Sequence, residues 1–172
     1  MLDDLVEVYL EVYADEADDP FYSEDRYRQQ ITGHMKSPGW EMVTATVGQG
    51  GELAGYIYGT PLPAGTGRWR GLTNPLPDDF INETGHRTFA IAELLVREPW
   101  RGQGFARRLH DELLDHRPEE RARLLVLPEN STAQAIYAHW GWHKVATLRP
   151  GWESAPAFDV LILPLNRHHA GI

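Results

Sequence analysis

The first third of the chain shows two helical patterns followed by two strand patterns. In residues 3–14 apolar side chains recur three and four positions apart, which predicts one buried face of an amphipathic helix. A second helix is expected to begin near Ser23, whose hydroxyl can cap it, and to continue through residues 26–35. Residues 40–47 and 53–60 are rich in β-branched and aromatic side chains, and the GQGG segment between them predicts a hairpin.

The second half of the chain alternates strand and helix patterns. Residues 89–96, FAIAELLV, are almost continuously apolar, as expected for a strand covered on both faces. The helix predicted over 104–116 places Phe105, Leu109 and Leu113 on its inner face. The remaining predicted elements are a strand at 124–127, a helix at 131–139, and strands at 144–148 and 158–163. This order predicts an α/β (α+β) fold with a mixed, mostly antiparallel central sheet and helices on both faces.

The segment between these two parts, residues 61–85, is rich in proline, glycine, asparagine and aspartate, which predicts a long loop. Loops of this length are usually either functional or disordered. Two interpretations therefore stay open. The loop forms a wall of a substrate pocket, to which Trp69 contributes, or it is a disordered surface segment.

The length of the chain favours one domain. With 172 residues, of which 42% are hydrophobic, the sequence can bury one sizeable core, so a single domain over residues 1–172 is predicted. Residues 166–172 are expected to form a frayed tail. The two histidines of that tail, His168 and His169, are interpreted as solvated rather than metal-bound.

Composition and charge exclude several functional classes. The sequence has no cysteine, which excludes disulfides, thiolate zinc sites and a cysteine nucleophile. The start, MLDDLVEVYL, is acidic where a secretory signal is basic, and no apolar stretch reaches the length of about 18 residues that a membrane span needs. We therefore expect a soluble cytoplasmic protein. A formal net charge of -9 disfavours nucleic acid as a partner and favours cationic substrates.

The segment WRGQGFARRLHDELL places Gly102 and Gly104 between arginines, directly before a predicted helix. A dinucleotide fingerprint would need a third glycine where Arg107 stands, and a triphosphate-binding loop would need a lysine followed by a hydroxyl residue. The segment has neither. Glycines can still turn successive amides toward one anion, and the first turn of a helix adds free N–H groups and a positive pole. The segment is thus an anion site or a plain turn with solvated arginines.

Two segments together resemble the GNAT superfamily of N-acetyltransferases. LLVREPWRGQGFARRLHDELL matches that family's acetyl-CoA-binding pattern, Arg/Gln-x-x-Gly-x-Gly/Ala, at Arg101, Gly104 and Ala106. NSTAQAIYAHWGW is similar to the family's Asn-x-x-Ala-x-x-x-Tyr-x-x-x-Gly-Phe/Trp. The matching residues of this second motif are Asn130, Ala133, Tyr137, Gly141 and Trp142. The resemblance is good over roughly residues 89–163 and covers the amino-terminal half only in outline.

One feature departs from the family pattern at the start of the chain. Proteins of this family commonly begin with a strand before the first helix, whereas the sequence here predicts a helix at once. The first strand of the fold is therefore expected to be absent or replaced. This departure concerns the sheet edge and the acceptor pocket, and it leaves the two motifs unaffected.

The resemblance implies acetyl-CoA as the acyl donor and no metal. The pyrophosphate would lie on the amides of the glycine turn, and the pantetheine arm would pair with the main chain of the strand before it. The residues to which the resemblance assigns cofactor contacts are Leu95, Val96, Arg101, Gly102, Gln103, Gly104, Phe105, Ala106, Arg107, Asn130, Ala133 and Tyr137. For Asn130 the alternative is that it only caps the helix that follows.

The family reaction is direct attack by a neutral amine on the thioester in a ternary complex, which needs a base and an acid. Tyr137 coincides with the family's acid. A phenol with a pKa of about 10 can protonate a thiolate whose conjugate acid has a pKa of about 8.5. The alternative for Tyr137 is a tyrosine packed in the core, with its hydroxyl bonded to backbone.

Glu93 is the predicted base, and this prediction rests on the residues themselves. It is the only charged residue in FAIAELLV, and by alternation it shares a strand face with Ile91 and Leu95. Desolvation there should raise its pKa toward the range useful for catalysis. The alternative is a structural carboxylate bonded to a neighbouring tyrosine or arginine. The reserve candidates for the base are three acidic residues of the long loop: Glu83, Asp78 and Asp79.

The sequence therefore predicts an acetyl-CoA-dependent N-acetyltransferase that acetylates a primary amine of a small cationic acceptor. Two alternatives remain, a protein amino-group acetyltransferase and a non-catalytic acyl-CoA-binding module. The expected partner is a small-molecule amine, with no nucleic acid and no membrane. The resemblance also allows a homodimer.

Overall fold

The computed structural model describes residues 1–152 and 154–165. The predicted tail, with His168 and His169, lies outside the described residues. The helices of this part of the chain are α1 (Leu2–Val12), α2 (Glu24–Met35), α3 (Asp78–Ile81), α4 (Phe105–Leu114) and α5 (Ser131–His139). The strands are β1 (Glu41–Val47), β2 (Glu52–Pro61), β3 (Thr88–Val96), β4 (Arg121–Val126), β5 (His143–Leu148) and β6 (Phe158–Pro164).

The strands form a six-stranded sheet in the order β1-β2-β3-β4-β6-β5. The pairs β1–β2, β4–β6 and β5–β6 are antiparallel, and β3 pairs with β4 in parallel. The predicted mixed, mostly antiparallel sheet with helices is confirmed. The first described element is α1, as the sequence predicted. Of the helices in the described ranges, none is long and apolar enough to cross a membrane.

The chain divides into two compact units. The first unit contains Met1–Thr60 and Ile91–His116, and the second contains the described residues of Pro61–Ala90 and Arg117–Ile172. The first unit thus includes α1, α2, the β1–β2 hairpin, α4 and the carboxyl end of β3. The second unit includes the long loop, α5 and strands β4 to β6. The single-domain interpretation stays a prediction.

Local sequence explains most boundaries in the first unit. Helix α2 starts after Ser23, whose Oγ accepts a hydrogen bond from the amide of Arg26 at 3.3 Å, so the predicted cap is confirmed. The hairpin pairs in register from Glu41 opposite Gly59, with a register shift after Ala45. Helix α4 is shorter than predicted, since it spans Phe105–Leu114.

Strand β4 starts three residues earlier than the sequence predicted, because two arginines of the strand are buried. Arg121 donates to the carbonyl of Phe80 at 2.6 Å, and Arg123 donates to the carbonyl of Arg68 at 2.7 Å. Burial lowers the pKa of Arg123 to about 9. Both guanidinium groups therefore hold the long loop against the sheet, and a pattern that counts arginine as exposed cannot find this strand end.

The long loop is ordered, so its interpretation as a disordered surface segment is wrong. Trp69 is buried in a cluster with Leu148, Val160 and Ile162. Further along, the loop pairs with the end of β5, because the amide of Arg149 donates to the carbonyl of Gly71 at 3.0 Å. Since Trp69 packs inward, its side chain belongs to the core of the second unit.

Candidate active site

The glycine turn of the first unit leads from β3 into α4. Gly102 and Gly104 have φ angles of +74° and +86°, in the left-handed region that favours glycine, and Gly104 is the N-cap of α4. A Cβ built at either position would meet no heavy atom of the described residues within 4 Å. Helix α4 is fixed below the turn by buried Leu109 and Leu113. The turn therefore presents open backbone at the positive end of a packed helix.

Side chains of the turn connect it to the end of β3. The Nε of Arg101 donates to the carbonyl of Val96 at 3.0 Å, and the side chain of Gln103 donates to the carbonyl of Pro99 at 3.3 Å. Arg107 forms an ion pair of 3.0 Å with Asp111 one turn further along the helix. The structure thus brings together the two segments that the sequence assigned to the cofactor in this unit, the strand end and the turn.

The carboxyl end of β3 also lies close to β2. A Cβ built on Gly55 would lie 2.4 Å from the carbonyl oxygen of Leu95, which is closer than side-chain atoms approach a backbone oxygen. The amide of Arg97 donates to the carbonyl of Ala54 at 2.8 Å. The path of the main chain at Leu95 and Val96 is therefore set by a glycine in the neighbouring strand.

Glu93 lies in the middle of β3 in an environment made mostly of tyrosines. It is partly buried, and the hydroxyl of Tyr13 donates to its Oε2 at 3.4 Å. Burial raises the pKa of Glu93 from its ordinary value of 4.5 to about 8, against the lowering effects of the Tyr13 hydrogen bond and the Arg26 guanidinium. The pKa of Glu93 is thus shifted upward, as the sequence predicted. Glu93 also has a tyrosine partner, as expected if it were a structural carboxylate.

The tyrosines around Glu93 form a connected cluster in the core of the first unit. The hydroxyls of Tyr27 and Tyr56 are 2.7 Å apart, and Tyr58 donates to Tyr27 at 3.4 Å. Tyr56 donates in turn to the carbonyl of Leu5 at 2.9 Å. Burial raises the pKa of all three tyrosines above its ordinary value, so their hydroxyls are neutral at pH 7. Their hydroxyls bond to one another and to Leu5, so the cluster places polar groups near Glu93 without adding charge.

The second motif lies in the second unit. Helix α5 is capped by Asn130, whose Oδ1 accepts a hydrogen bond from the amide of Ala133 at 3.1 Å. Tyr137 is partly buried, and its ring packs edge-on against those of Trp140 and Trp142 at centroid distances of 5.7 and 5.9 Å. The capping role of Asn130 is therefore observed. Its contact with the coenzyme arm and the acid role of Tyr137 stay predictions.

The reserve candidates for the base are placed in the second unit. Glu83 is buried, and its Oε2 accepts hydrogen bonds from Trp69 at 2.8 Å, Thr88 at 2.9 Å and Arg121 at 3.1 Å. With these three partners, Glu83 has a structural role, because it joins the long loop to β3 and β4 through hydrogen bonds. The other two reserve residues lie exposed in the first turn of α3: Asp78 and Asp79.

Comparison with known protein families gives one match that spans most of the sequence. A model of the acetyltransferase (GNAT) family matches residues 2–142, which include both motifs. The chain belongs to the GNAT family of acetyltransferases. The resemblance inferred from the two motifs is confirmed, and acetyl-CoA-dependent N-acetylation is the general reaction of this GNAT protein. Among curated proteins, none matches the chain.

Solved structures with the same fold include several GNAT proteins. PH1933 from Pyrococcus horikoshii OT3 is 21% identical, with a TM-score of 0.66 over 96% of this chain and 90% of that one. The ribosomal-protein-S18-alanine N-acetyltransferase from Escherichia coli is 14% identical, with a TM-score of 0.63 over 95% and 87%. An aminoglycoside 6'-N-acetyltransferase complexed with coenzyme A is 15% identical, with a TM-score of 0.61 over 95% and 90%. These similarities show a common fold.

The glycine turn of this GNAT protein has the features that a pyrophosphate requires. Backbone at Gly102 and Gly104 is exposed and unobstructed among the described residues, and it lies at the positive pole of α4. Three exposed arginines flank the turn: Arg101, Arg107 and Arg108. A main-chain anion site with exposed cationic side chains beside it fits the phosphate end of coenzyme A.

Replacing Gly104 by alanine is expected to weaken coenzyme A binding about 10-fold or more, because the new methyl group enters the space in front of the turn. The free energy of unfolding should fall by only about 1 kcal/mol, the cost of a positive φ. Titration calorimetry with coenzyme A and thermal unfolding measure the two effects. Gly65→Ala is the matched control, since Gly65 has a φ of +73° and is equally unobstructed. Equal affinities for both variants would remove Gly104 from the cofactor site.

Sequence reasoning missed two residues beside Glu93, namely Tyr13 and Arg26. Tyr13 is 80 positions away along the chain, and neither belongs to a family motif. The sequence feature that could have indicated Tyr13 is its position, with Tyr9, on the predicted buried face of α1. A buried tyrosine hydroxyl needs a hydrogen-bond partner, and Glu93 was the one carboxylate predicted to be buried in a strand.

Proposed function

We propose that this GNAT acetyltransferase transfers the acetyl group of acetyl-CoA to a primary amine of a small cationic acceptor, by direct attack in a ternary complex with Glu93 as the base. The observation that carries this proposal is the environment of Glu93. Burial raises its pKa to about 8, in a strand that leads directly into the glycine turn. A carboxylate with this pKa, once deprotonated, takes a proton from an ammonium group far more readily than a carboxylate of ordinary pKa does.

The proposed reaction forms no covalent intermediate with the enzyme. Glu93 takes a proton from the acceptor's ammonium group, whose pKa is about 10 in a simple amine. The freed nitrogen lone pair attacks the thioester carbon, the C–S bond breaks, and coenzyme A leaves as a thiolate that takes up a proton. Tyr137 is the proposed donor of this proton, on the strength of its motif. The nitrogen gives up its second proton as the amide forms, which restores the proton that the donor to the thiolate has lost, and Glu93 releases its proton to solvent. Main-chain groups at Leu95 and Val96 are proposed to hold the pantetheine arm and polarise the thioester carbonyl.

The acceptor class is proposed from the charges of the chain segment that begins at the hydrogen-bond partner of Glu93. The connection between α1 and α2 begins at Tyr13, which contacts Glu93, and it carries the exposed carboxylates Asp15, Glu16 and Asp18. Such a group of exposed carboxylates attracts cations at a distance of about one Debye length or less. A molecule with a second positive charge is therefore favoured over a neutral amine.

Two neighbours in fold are named for cationic acceptors, and they support this proposal as analogies only. One is the aminoglycoside acetyltransferase already described. The other is a spermidine N-acetyltransferase chimera from Vibrio cholerae, 15% identical with a TM-score of 0.62 over 98% of this chain and 92% of that one. The charge of the α1–α2 connection is the property of this chain that makes the analogy relevant.

Thiol release from acetyl-CoA is expected to be faster with diamines and polyamines than with neutral alkylamines of equal length. In the variant Asp15→Asn/Asp18→Asn, KM for a diamine should rise about 3-fold or more while kcat stays constant, because two steering charges are removed. The KM for a monoamine should change less. The rise in KM for the diamine should be smaller in about 1 M salt, where the Debye length is about 3 Å.

The control for this experiment is Glu112→Gln/Glu129→Gln, which removes two exposed carboxylates from other parts of the chain. It has the same change in net charge and should leave KM unaltered. If no amine raises thiol release above background while coenzyme A still binds, the protein is a non-catalytic acyl-CoA-binding module. If only peptides with a free amino terminus are substrates, the acceptor is a protein.

A further inference from the structure

The hydrogen bond between Tyr13 and Glu93 joins the end of helix α1 to the centre of strand β3. Tyr13 is the C-cap residue of α1 and is partly buried. Its hydroxyl donates to Oε2 of Glu93 at 3.4 Å. At this distance the bond is long, so its direction depends on how firmly the tyrosine ring is held.

Aromatic contacts from two sides hold the ring of Tyr13. Tyr9 lies one helical turn earlier, with the ring centroids 4.7 Å apart, and Tyr22 lies 4.8 Å away on the other side of the acidic connection. Tyr9 is itself stacked on Tyr27 of α2 at 3.7 Å with an interplanar angle of 5°. Rotation of the Tyr13 ring would disturb both contacts, so the hydroxyl is held in one direction.

We propose that Tyr13 is a positioning residue that holds Oε2 of Glu93 so that the other carboxylate oxygen, Oε1, accepts the proton of the amine. This inference rests on the proposed function, in which Glu93 is the base. Tyr13 is also the residue from which the acidic α1–α2 connection starts. The same hydroxyl therefore links the segment proposed to attract the acceptor with the group proposed to deprotonate it.

Titratable groups face Glu93 or its close neighbours from each element that surrounds it. They are Tyr9 and Tyr13 from α1, Asp19 and Tyr22 from the connection, Arg26 and Tyr27 from α2, and Tyr56 and Tyr58 from β2. The Tyr13 hydrogen bond and the charge of Arg26 lower the pKa of Glu93, against the effect of burial. Removing the Tyr13 hydroxyl alone should therefore raise that pKa, because Arg26 and the burial stay as they are.

The test compares pH profiles of kcat/KM for four variants: Tyr13→Phe, Tyr9→Phe, Glu93→Gln and the double variant Tyr13→Phe/Glu93→Gln. In Tyr13→Phe the acidic limb of kcat/KM should move to higher pH by about half a unit, which lowers kcat/KM at pH 7 about 3-fold. Loss of the positioning contact should bring the total loss at pH 7 to about 5-fold, with recovery to within about 2-fold near pH 9.5. KM for acetyl-CoA should not change. Tyr9→Phe is the matched control, since it removes a hydroxyl from the same helix face and keeps the ring.

Each outcome decides between a positioning role and a packing role. The expected result also includes a double variant no slower than Glu93→Gln alone, since Tyr13 acts through Glu93. If Tyr13→Phe loses the same fraction of kcat at every pH, or behaves like Tyr9→Phe, the positioning role is overturned while the base assignment stands. If Glu93→Gln keeps the acidic limb, Glu93 is not the base of the proposed function and the positioning role falls with it, whatever Tyr13→Phe does.

Discussion

Replacing Glu93 by glutamine is expected to lower kcat/KM about 100-fold or more at pH 8.5 and to abolish the acidic limb of its pH profile. In the wild-type protein the base must be deprotonated, so kcat/KM should rise with pH up to and through a pKa of about 8. Glutamine has the same shape and cannot take a proton. Initial rates of thiol release between pH 6 and 10 give both profiles. An acidic limb that persists in Glu93→Gln would place the base elsewhere.

The same substitution has a second expected effect, on stability. Because folding raises the pKa of Glu93 above its ordinary value of 4.5, the native state holds a proton that the unfolded chain releases between pH 4.5 and about 8. The wild-type protein should therefore lose stability from this group as the pH rises through that window. Glu93→Gln should not, so its Tm relative to wild type should increase from pH 5 to pH 8.5. Glu112→Gln, at an exposed site on α4, is the control and should show no such trend.

Replacing Gly71 by alanine is expected to lower the free energy of unfolding by about 3 kcal/mol or more. This is a larger loss than the one expected for Gly104→Ala. A Cβ at this position would lie 2.1 Å from the carbonyl oxygen of Arg149, and the φ of Gly71 is +87°. The contact involves backbone on both sides, because residues 71–73 pair with the end of β5. Neither segment can move away without breaking these hydrogen bonds.

Gly65→Ala separates the two causes of this destabilisation. It lies in the same loop with a φ of +73°, and its added methyl group meets nothing within 4 Å of the described residues. Its cost should be that of the backbone angle alone, about 1 kcal/mol. Chemical denaturation of the two variants and the wild type gives the comparison. Equal losses for Gly71→Ala and Gly65→Ala would mean that the loop does not approach Arg149 closely.

The sequence predicted the elements whose patterns are local. The hairpin, the Ser23 cap, the glycine turn and the lone carboxylate of FAIAELLV are each visible in a few adjacent residues, and the structure contains all of them. What escaped prediction depends on distant partners. Arg121 and Arg123 are buried because loop carbonyls more than 40 residues away in the chain accept their hydrogen bonds. Tyr13 acquires its partner only when α1 packs against β3.

The order of the loop could not be predicted for the same reason. Its composition of proline, glycine and aspartate is typical of both ordered and disordered loops. The features that decide are Trp69 in the hydrophobic cluster and the hydrogen bonds that the network around Glu83 makes with β3 and β4. Each of these requires the folded sheet, so no short stretch of sequence contains the information.

The pairing of residues 71–73 with β5 has a consequence for the behaviour of the protein in concentrated solution. Strand β5 is the last strand of the sheet order, and a bare outer strand is a template on which another chain can add a strand and begin to aggregate. The bonds from Arg149 to Gly71 and from Thr73 to Thr147 occupy backbone groups at one end of that strand. Those groups are therefore not available to pair with another chain, so we expect shortening of the loop to increase aggregation.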